Sequence, residues 1–198
     1  MPTELPLLVI ATRNAHKTQE IREMIGDRFE VRDVNDFPGL PAVEETGTTF
    51  LENATLKAVA ISREVAGKVL SDDSGLEVDA LGGAPGVWSS SYGGDEGNHP
   101  KNNARLLAEM AGKADRAARF RCTMVLAEGG RVLADFSGTV EGRILEAPYG
   151  AGGFGYDPLF APEGHEKSFA ELGAAVKNAL SHRGRALEKV VAWLEKDG

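Results

Sequence analysis

The sequence predicts an α/β fold on a mixed β-sheet with flanking helices, and three features lead to it. Short apolar runs of strand character alternate with segments of helical spacing. Two of the runs, residues 119–127 and 131–139, are separated by Glu128-Gly129-Gly130, which predicts a hairpin and hence an antiparallel pair. No internal repeat or low-complexity linker divides the chain, so residues 1–198 read as one domain.

The elements follow in order. Residues 5–11 form an apolar run that predicts a buried strand ending in Thr12-Arg13-Asn14. Ile21, Met24 and Ile25 then stand at helical spacing in a helix to about Asp27. Residues 29–34 predict a second strand, and residues 35–45 a loop with two prolines. A helix begins near Thr49, because Thr49 and Glu52 have capping-box spacing; its apolar face carries Phe50, Ala54, Ala58 and Ile61. Val69-Leu70 is a short strand feeding an acidic turn, Asp72-Asp73-Ser74-Gly75. Residues 79–100 read as irregular, up to Pro100 at a helix start, and Ala104, Leu107 and Met110 mark that helix. After the hairpin come a Gly-rich loop at 150–155, a short run at 158–161, and a C-terminal helix with Leu187, Val190, Val191 and Leu194 on one face.

Composition narrows the function. The net charge of −8 argues against a protein that coats nucleic acid, yet leaves room for a local cluster that binds a small polyanion. No apolar run approaches the ~20 residues that span a bilayer, and nothing near the N-terminus reads as a signal peptide. The single cysteine, Cys122, cannot form an internal disulfide, which suits a reducing cytoplasm; its alternating context predicts a small buried side chain.

Five segments carry chemistry. Asp72 and Asp73 followed by Ser74-Gly75 suit a hard cation, the alternative being a solvated turn whose aspartates cap local N–H groups. In an extended chain the two carboxylates point in different directions, so one of them faces the site. Glu44-Glu45 precede the helix at Thr49 and could share that cation, or simply complement the helix dipole. Asn53 and Lys57, four apart, lie on one face of the same helix. Thr12, Arg13, Asn14, Ala15, His16 and Lys17 join a strand to a helix whose N-terminal N–H groups suit phosphate, and Lys17 places a cation where the dipole alone disfavours it. Gly150-Ala151-Gly152-Gly153-Phe154-Gly155 matches G-x-G-x-x-G, but Pro158 follows too soon for a helix to open there, so it is not a dinucleotide fingerprint. Phe154 between glycines could stack on a base, with Asp157 accepting from a ring N–H. Last, Lys177 and Ser181-His182-Arg183-Gly184 make the densest basic group in an acidic chain.

Taken together, these segments resemble the inosine triphosphate pyrophosphatase family, the dITP/XTP pyrophosphatases. The matching motifs run in order over nearly the whole chain: Thr12-x-Asn14-x-x-Lys17; Glu44-Glu45-Thr46-Gly47 with Thr49-Phe50-x-x-Asn53-Ala54; Asp72-Asp73-Ser74-Gly75-Leu76; Gly82-Gly83-Ala84-Pro85-Gly86; Gly152-Gly153-Phe154-Gly155-Tyr156-Asp157-Pro158; and Ser181-His182-Arg183-Gly184. The resemblance implies an elongated sheet with two lobes around a central cleft, usually in a homodimer. It implies Mg²⁺-dependent hydrolysis of ITP, dITP and XTP to the monophosphate and pyrophosphate. It makes Glu45 and Asp73 the metal ligands and Asp73 the proton acceptor. Thr12 to Lys17, Ser74, Phe154, Gly155, Tyr156, Asp157, Lys177, His182 and Arg183 become substrate-binding positions, and Asn53 joins them as part of the ligand wall. Rival readings are a hydrolase for another altered nucleotide and a nucleotide sensor without turnover. One departure stands out: where relatives read Ser-Ala-Arg-Tyr, this chain has Ser89-Ser90-Ser91-Tyr92, so Ser91 replaces an expected Arg and Lys101 is a candidate compensating cation.

Overall fold

The computed structural model describes residues 5–197. Its strands are β1 (Leu7–Ile10), β2 (Glu30–Asp33), β3 (Lys68–Val78), β4 (Ala117–Glu128), β5 (Arg131–Ile144) and β6 (Phe160–Pro162). Its helices are α1 (Ala15–Ile25), α2 (Phe50–Ser62), α3 (His99–Glu109), α4 (Phe169–Leu172), α5 (Ala174–Leu180) and α6 (His182–Asp197). The strands form one mixed sheet in the order β2-β1-β3-β4-β5-β6. β1 pairs in parallel with both β2 and β3, whereas β6 is antiparallel to β5. Gly129 and Gly130, with φ of 56° and 80°, make the two-residue connection of the β4–β5 hairpin, a geometry that side-chain-bearing residues resist. Among the described residues no helix is long and apolar enough to cross a membrane.

The chain divides into two compact units. Unit 1 is Met1–Asp73, Cys122–Ser137 and Ala186–Gly198; unit 2 is Ser74–Arg121 and Gly138–Arg185. In unit 1 the predicted faces of α1 and α6 meet the sheet: Ile21, Ile25, Leu187, Val190 and Leu194 are buried with Leu8, Ile10, Leu70 and Met124. Ala54 and Ala58 of α2 pack on Val125 and Ala127, small residues that let helix and strand approach closely. In unit 2 the core gathers Leu76, Val78, Leu106, Met110, Val140, Leu159 and an aromatic group in which Phe120 lies 4.8 Å edge-on to Phe160.

One sequence expectation is corrected. The segment Asp72-Asp73-Ser74-Gly75 is not a turn; it is the middle of β3, an eleven-residue strand. Asp and Gly have low β-propensity, but the segment is largely buried, and tertiary context overrides propensity there. On α3 the buried face carries Asn102 and Leu106, with Met110 at its C-cap, while Ala104 is exposed. Asn102 is inside because it is bonded at both ends: Oδ1 accepts from Gly93 N–H at 2.6 Å and Nδ2 donates to Ser90 O at 2.9 Å.

The capping box at Thr49 is present. Thr49 Oγ1 accepts from Glu52 N–H at 3.1 Å, and Glu52 Oε2 accepts in return from Thr49 N–H at 3.2 Å. Gly47, just before it, is required by space, since a Cβ there would lie 2.6 Å from Glu52 Cβ. Replacing Thr49→Ala is expected to remove about 1 kcal/mol of stability. A thermal melt should read this as a fall in Tm of roughly 2–4 °C, with Thr49→Ser close to wild type.

Candidate active site

In unit 1 the two aspartates of β3 alternate, and each meets its own lysine. Asp72 is fully buried and its Oδ1 lies 2.5 Å from Lys17 Nζ of α1. Its Oδ2 accepts from the Cys122 thiol, Sγ–O 3.0 Å. Asp73 is 7% exposed, and its Oδ1 accepts from Lys57 Nζ of α2 at 3.3 Å. The same ammonium donates to Glu45 Oε2 and to the Asp72 carbonyl, both at 3.0 Å. Asp73 Oδ2 is buried with no partner.

The electrostatics follow from that packing. Burial raises the Asp73 pKa from 3.8 to about 6; Lys57 and Lys17 pull it back, and Glu45 and Asp72 push it up further. Burial alone would lower the Lys57 pKa, but Asp73, Glu45 and Asp72 outweigh it and hold the ammonium above its ordinary value. A buried carboxylate with one oxygen fixed by an ammonium and the other unpartnered can take a proton or a cation on that second oxygen.

The Thr12 to Lys17 segment is built as a capped helix start. Asn14 Oδ1 accepts from His16 N–H at 3.0 Å and Lys17 N–H at 3.4 Å, and Thr12 Oγ1 accepts from Asn14 N–H at 3.1 Å. The expectation of free N–H groups is thereby corrected for His16 and Lys17, whose amides are met by their own N-cap. Lys17, electrostatically misplaced on its own helix, is answered by Asp72. Arg13 and Ala15 are exposed, with Arg13 Nη2 donating to Leu40 O at 3.1 Å. Asn53 is 3% exposed and its Oδ1 accepts from Gly47 N–H at 2.8 Å, so it fastens the loop before α2.

Unit 2 holds the remaining candidates. Phe154 is partly exposed, with Lys177 Nζ 4.8 Å and the Arg183 guanidinium 5.8 Å from its ring centroid. Lys177 Nζ also lies 2.6 Å from Asp157 Oδ2, and that oxygen accepts from Phe154 N–H at 2.9 Å. Asp157 Oδ2 is therefore an internal anchor for both groups. Gly153 (φ 70°) allows this, because a Cβ there would fall 2.1 Å from Asp157 Oδ2. Arg183, 1% exposed, donates from Nη2 to Ser74 Oγ at 3.0 Å. The His182 ring stacks on Phe120 at 4.8 Å and 12°. Tyr156 is in the core, its hydroxyl donating to Ser89 O at 2.8 Å, and burial drives its pKa upward. At the departing position, Lys101 does not stand in for the missing Arg: it pairs with Asp95. The cation packed on Tyr92 is Arg105, 4.2 Å from the ring centroid.

The model of the Ham1 family matches residues 8–193. The chain belongs to the Ham1 family. Among the relatives of this Ham1 chain, the dITP/XTP pyrophosphatase of Bacillus licheniformis is 45% identical over 192 residues, spanning 96% of this chain and 98% of that relative. The dITP/XTP pyrophosphatase of Gloeobacter violaceus is 50% identical over 185 residues, spanning 93% and 92%. Among solved structures, the Staphylococcus aureus Ham1 protein superposes with a TM-score of 0.86 at 37% identity, covering 96% of this chain and 99% of that one. A HAM1 protein from Coxiella burnetii gives 0.87 at 38%, covering 97% and 100%.

Lys57 is the residue that this Ham1 chain's sequence hinted at without a role; only tertiary packing brings Glu45 and both aspartates to one ammonium. Because the folded pKa of Asp73 lies above its unfolded value, its protonated form adds stability below pH ~4 that is lost as pH rises through about 6. Lys57→Met removes the charge that offsets the ionised form. The Tm deficit of this variant should be small at pH 4.5 and grow to roughly 5–10 °C at pH 8. Thermal unfolding at the two pH values checks it, and an equal deficit at both would remove the Asp73–Lys57 coupling.

Proposed function

We propose that the protein hydrolyses the deaminated purine nucleoside triphosphates ITP, dITP and XTP to the monophosphate and pyrophosphate. The observation that carries this is Asp73: a buried carboxylate with one oxygen on Lys57, the other unpartnered, and a pKa raised to about 6. Such a group is a poised general base. The names of the Bacillus and Gloeobacter relatives supply the substrate class.

In this reading water attacks the α-phosphorus, the bond to the bridging oxygen breaks, and pyrophosphate leaves. Asp73 Oδ2 takes the water's proton, while Lys57 keeps Asp73 Oδ1 in place. Lys17, released in part from Asp72, neutralises phosphate charge together with the exposed end of the Thr12 to Lys17 segment. In unit 2, Phe154 offers its ring to the base. His182 and Arg183 act as donors to the 6-oxo group, beside Ser74 and Lys177. Adenine would bring an amine to those donors and leave buried groups unpaired, which is the basis of its rejection.

Mg²⁺ fits the residues present. Asp73 Oδ2 is unpartnered and Glu45 converges on the same ammonium. Among the described residues no three acidic, histidine or cysteine side chains form a cage, and Mg²⁺ needs none, since one or two carboxylates plus phosphate oxygens and water satisfy it. Glu45 and Asp73 would hold it, and when bound it would offset the charge gathering on the phosphate oxygens. The family resemblance carries a homodimer as well, and the buried thiol of Cys122 suits a reducing cytoplasm.

Two experiments test the reading. Steady-state kinetics with Mg²⁺ should give kcat/KM for ITP and XTP about 10² times or more that for ATP, whose amine meets those donors; an advantage over GTP, which carries the same 6-oxo group, rests on the substrate class of the relatives alone. Parity with GTP would sink the deaminated-purine assignment, and preference for an altered pyrimidine would replace it. Asp73→Asn should lower kcat by about 10²–10⁴-fold in a folded protein. Full activity in that variant would remove Asp73 as the base.

A further inference from the structure

The loop that carries Phe154 is rich in glycine, and Gly150, Gly153 and Gly155 take φ of 80°, 70° and 62°. Such a segment holds a ring in one place only where other elements fix it. Its beginning is pressed on α4: a Cβ at Gly150 would lie 2.7 Å from the carbonyl carbon of Ala170, and one at Gly152 2.8 Å from Ala170 O. Its middle is fixed by the bond from Phe154 N–H to Asp157. Its far end is different, for nothing lies within 4 Å of a Cβ built on Gly155.

The Gly155 carbonyl accepts from Asn103 Nδ2 of α3 at 3.1 Å. Four residues earlier, on the same face of α3, His99 sets its ring against Phe154 with centroids 6.1 Å apart and planes tilted by 48°. Asn103 Oδ1 is buried without a partner, so the bond to Gly155 is what orients this amide. Two side chains of one helix face thus converge on Phe154-Gly155, and the functional reading above gives neither of them a role.

We propose that Asn103, with His99, is a positioning residue for the base: it holds the Phe154 ring in the orientation that stacks on the purine. The inference rests on the proposed activity. A stacked base is bound equally in the ground state and the transition state, so loosening Phe154 raises KM and leaves kcat in place. A merely structural part for Asn103 would lower Tm and leave KM unchanged.

The test uses the full chain with ITP and Mg²⁺. Asn103→Asp is nearly isosteric but cannot donate to Gly155; it should raise KM about five- to tenfold, with kcat within about twofold. In a Phe154→Leu background the same change should add almost nothing, because the coupling runs through the ring. An unchanged KM in folded N103D, or an equal rise in the Phe154→Leu background, overturns the inference. If N103D does not fold, His99→Ala and its pairing with Phe154→Leu are judged by the same two criteria. Wild-type protein inert toward ITP would overturn the activity and this inference with it, whereas an active wild type with an unaltered N103D overturns this inference alone.

Discussion

Two adjacent carboxylates on an interior strand constrain everything around them. Asp72 and Asp73 are both buried in β3, and the strand's two-residue period sends them to opposite faces. Each buried charge then needs a partner, since an isolated ionised carboxylate in the interior costs several kcal/mol. Lys17 of α1 and Lys57 of α2 supply the partners. The placing of both helices is thereby tied to the chemistry of one strand, and the capped loops that start them, at Asn14 and Thr49, share that duty.

The compensation is unequal, and the inequality makes the site. Asp72 has both oxygens engaged, by Lys17 and by the Cys122 thiol. Asp73 has only one engaged. Full satisfaction leaves a structural ion pair, while partial satisfaction leaves a carboxylate that titrates near 6 with an oxygen available for water or a cation. Lys57 serves both ends of this arrangement, because it neutralises Asp73 and Glu45 without covering the second oxygen of Asp73.

Unit 2 follows the same logic with an aromatic ring at its centre. Phe154 sits on a glycine loop outside regular structure, and its place is set by contacts from Asp157, Lys177 and α3. Buried Lys177 would be costly alone and is matched by Asp157, whose same oxygen also takes the Phe154 amide. One carboxylate oxygen thus fixes a cation and a ring together.

Much of this was legible in the residues themselves. Thr49 and Glu52 announce a helix start through local capping, Gly129-Gly130 announce a hairpin through backbone freedom, and the apolar periods of α1, α2 and α6 mark the buried faces; each depends on neighbours a few residues apart. The ordered motifs likewise gave the family. What only the tertiary structure decided are the non-local matters. The acidic segment became a strand because tertiary packing buries it, against its own propensity. Asn53 and Asp157, which look like ligand groups in sequence, each give one oxygen to the fold itself, to Gly47 and to Lys177 with Phe154, since a polar side chain that is buried must bond to whatever the fold brings within reach. Asp72 and Asp73, indistinguishable as types, were separated by which lysine each met and by how many of their oxygens were left to fill.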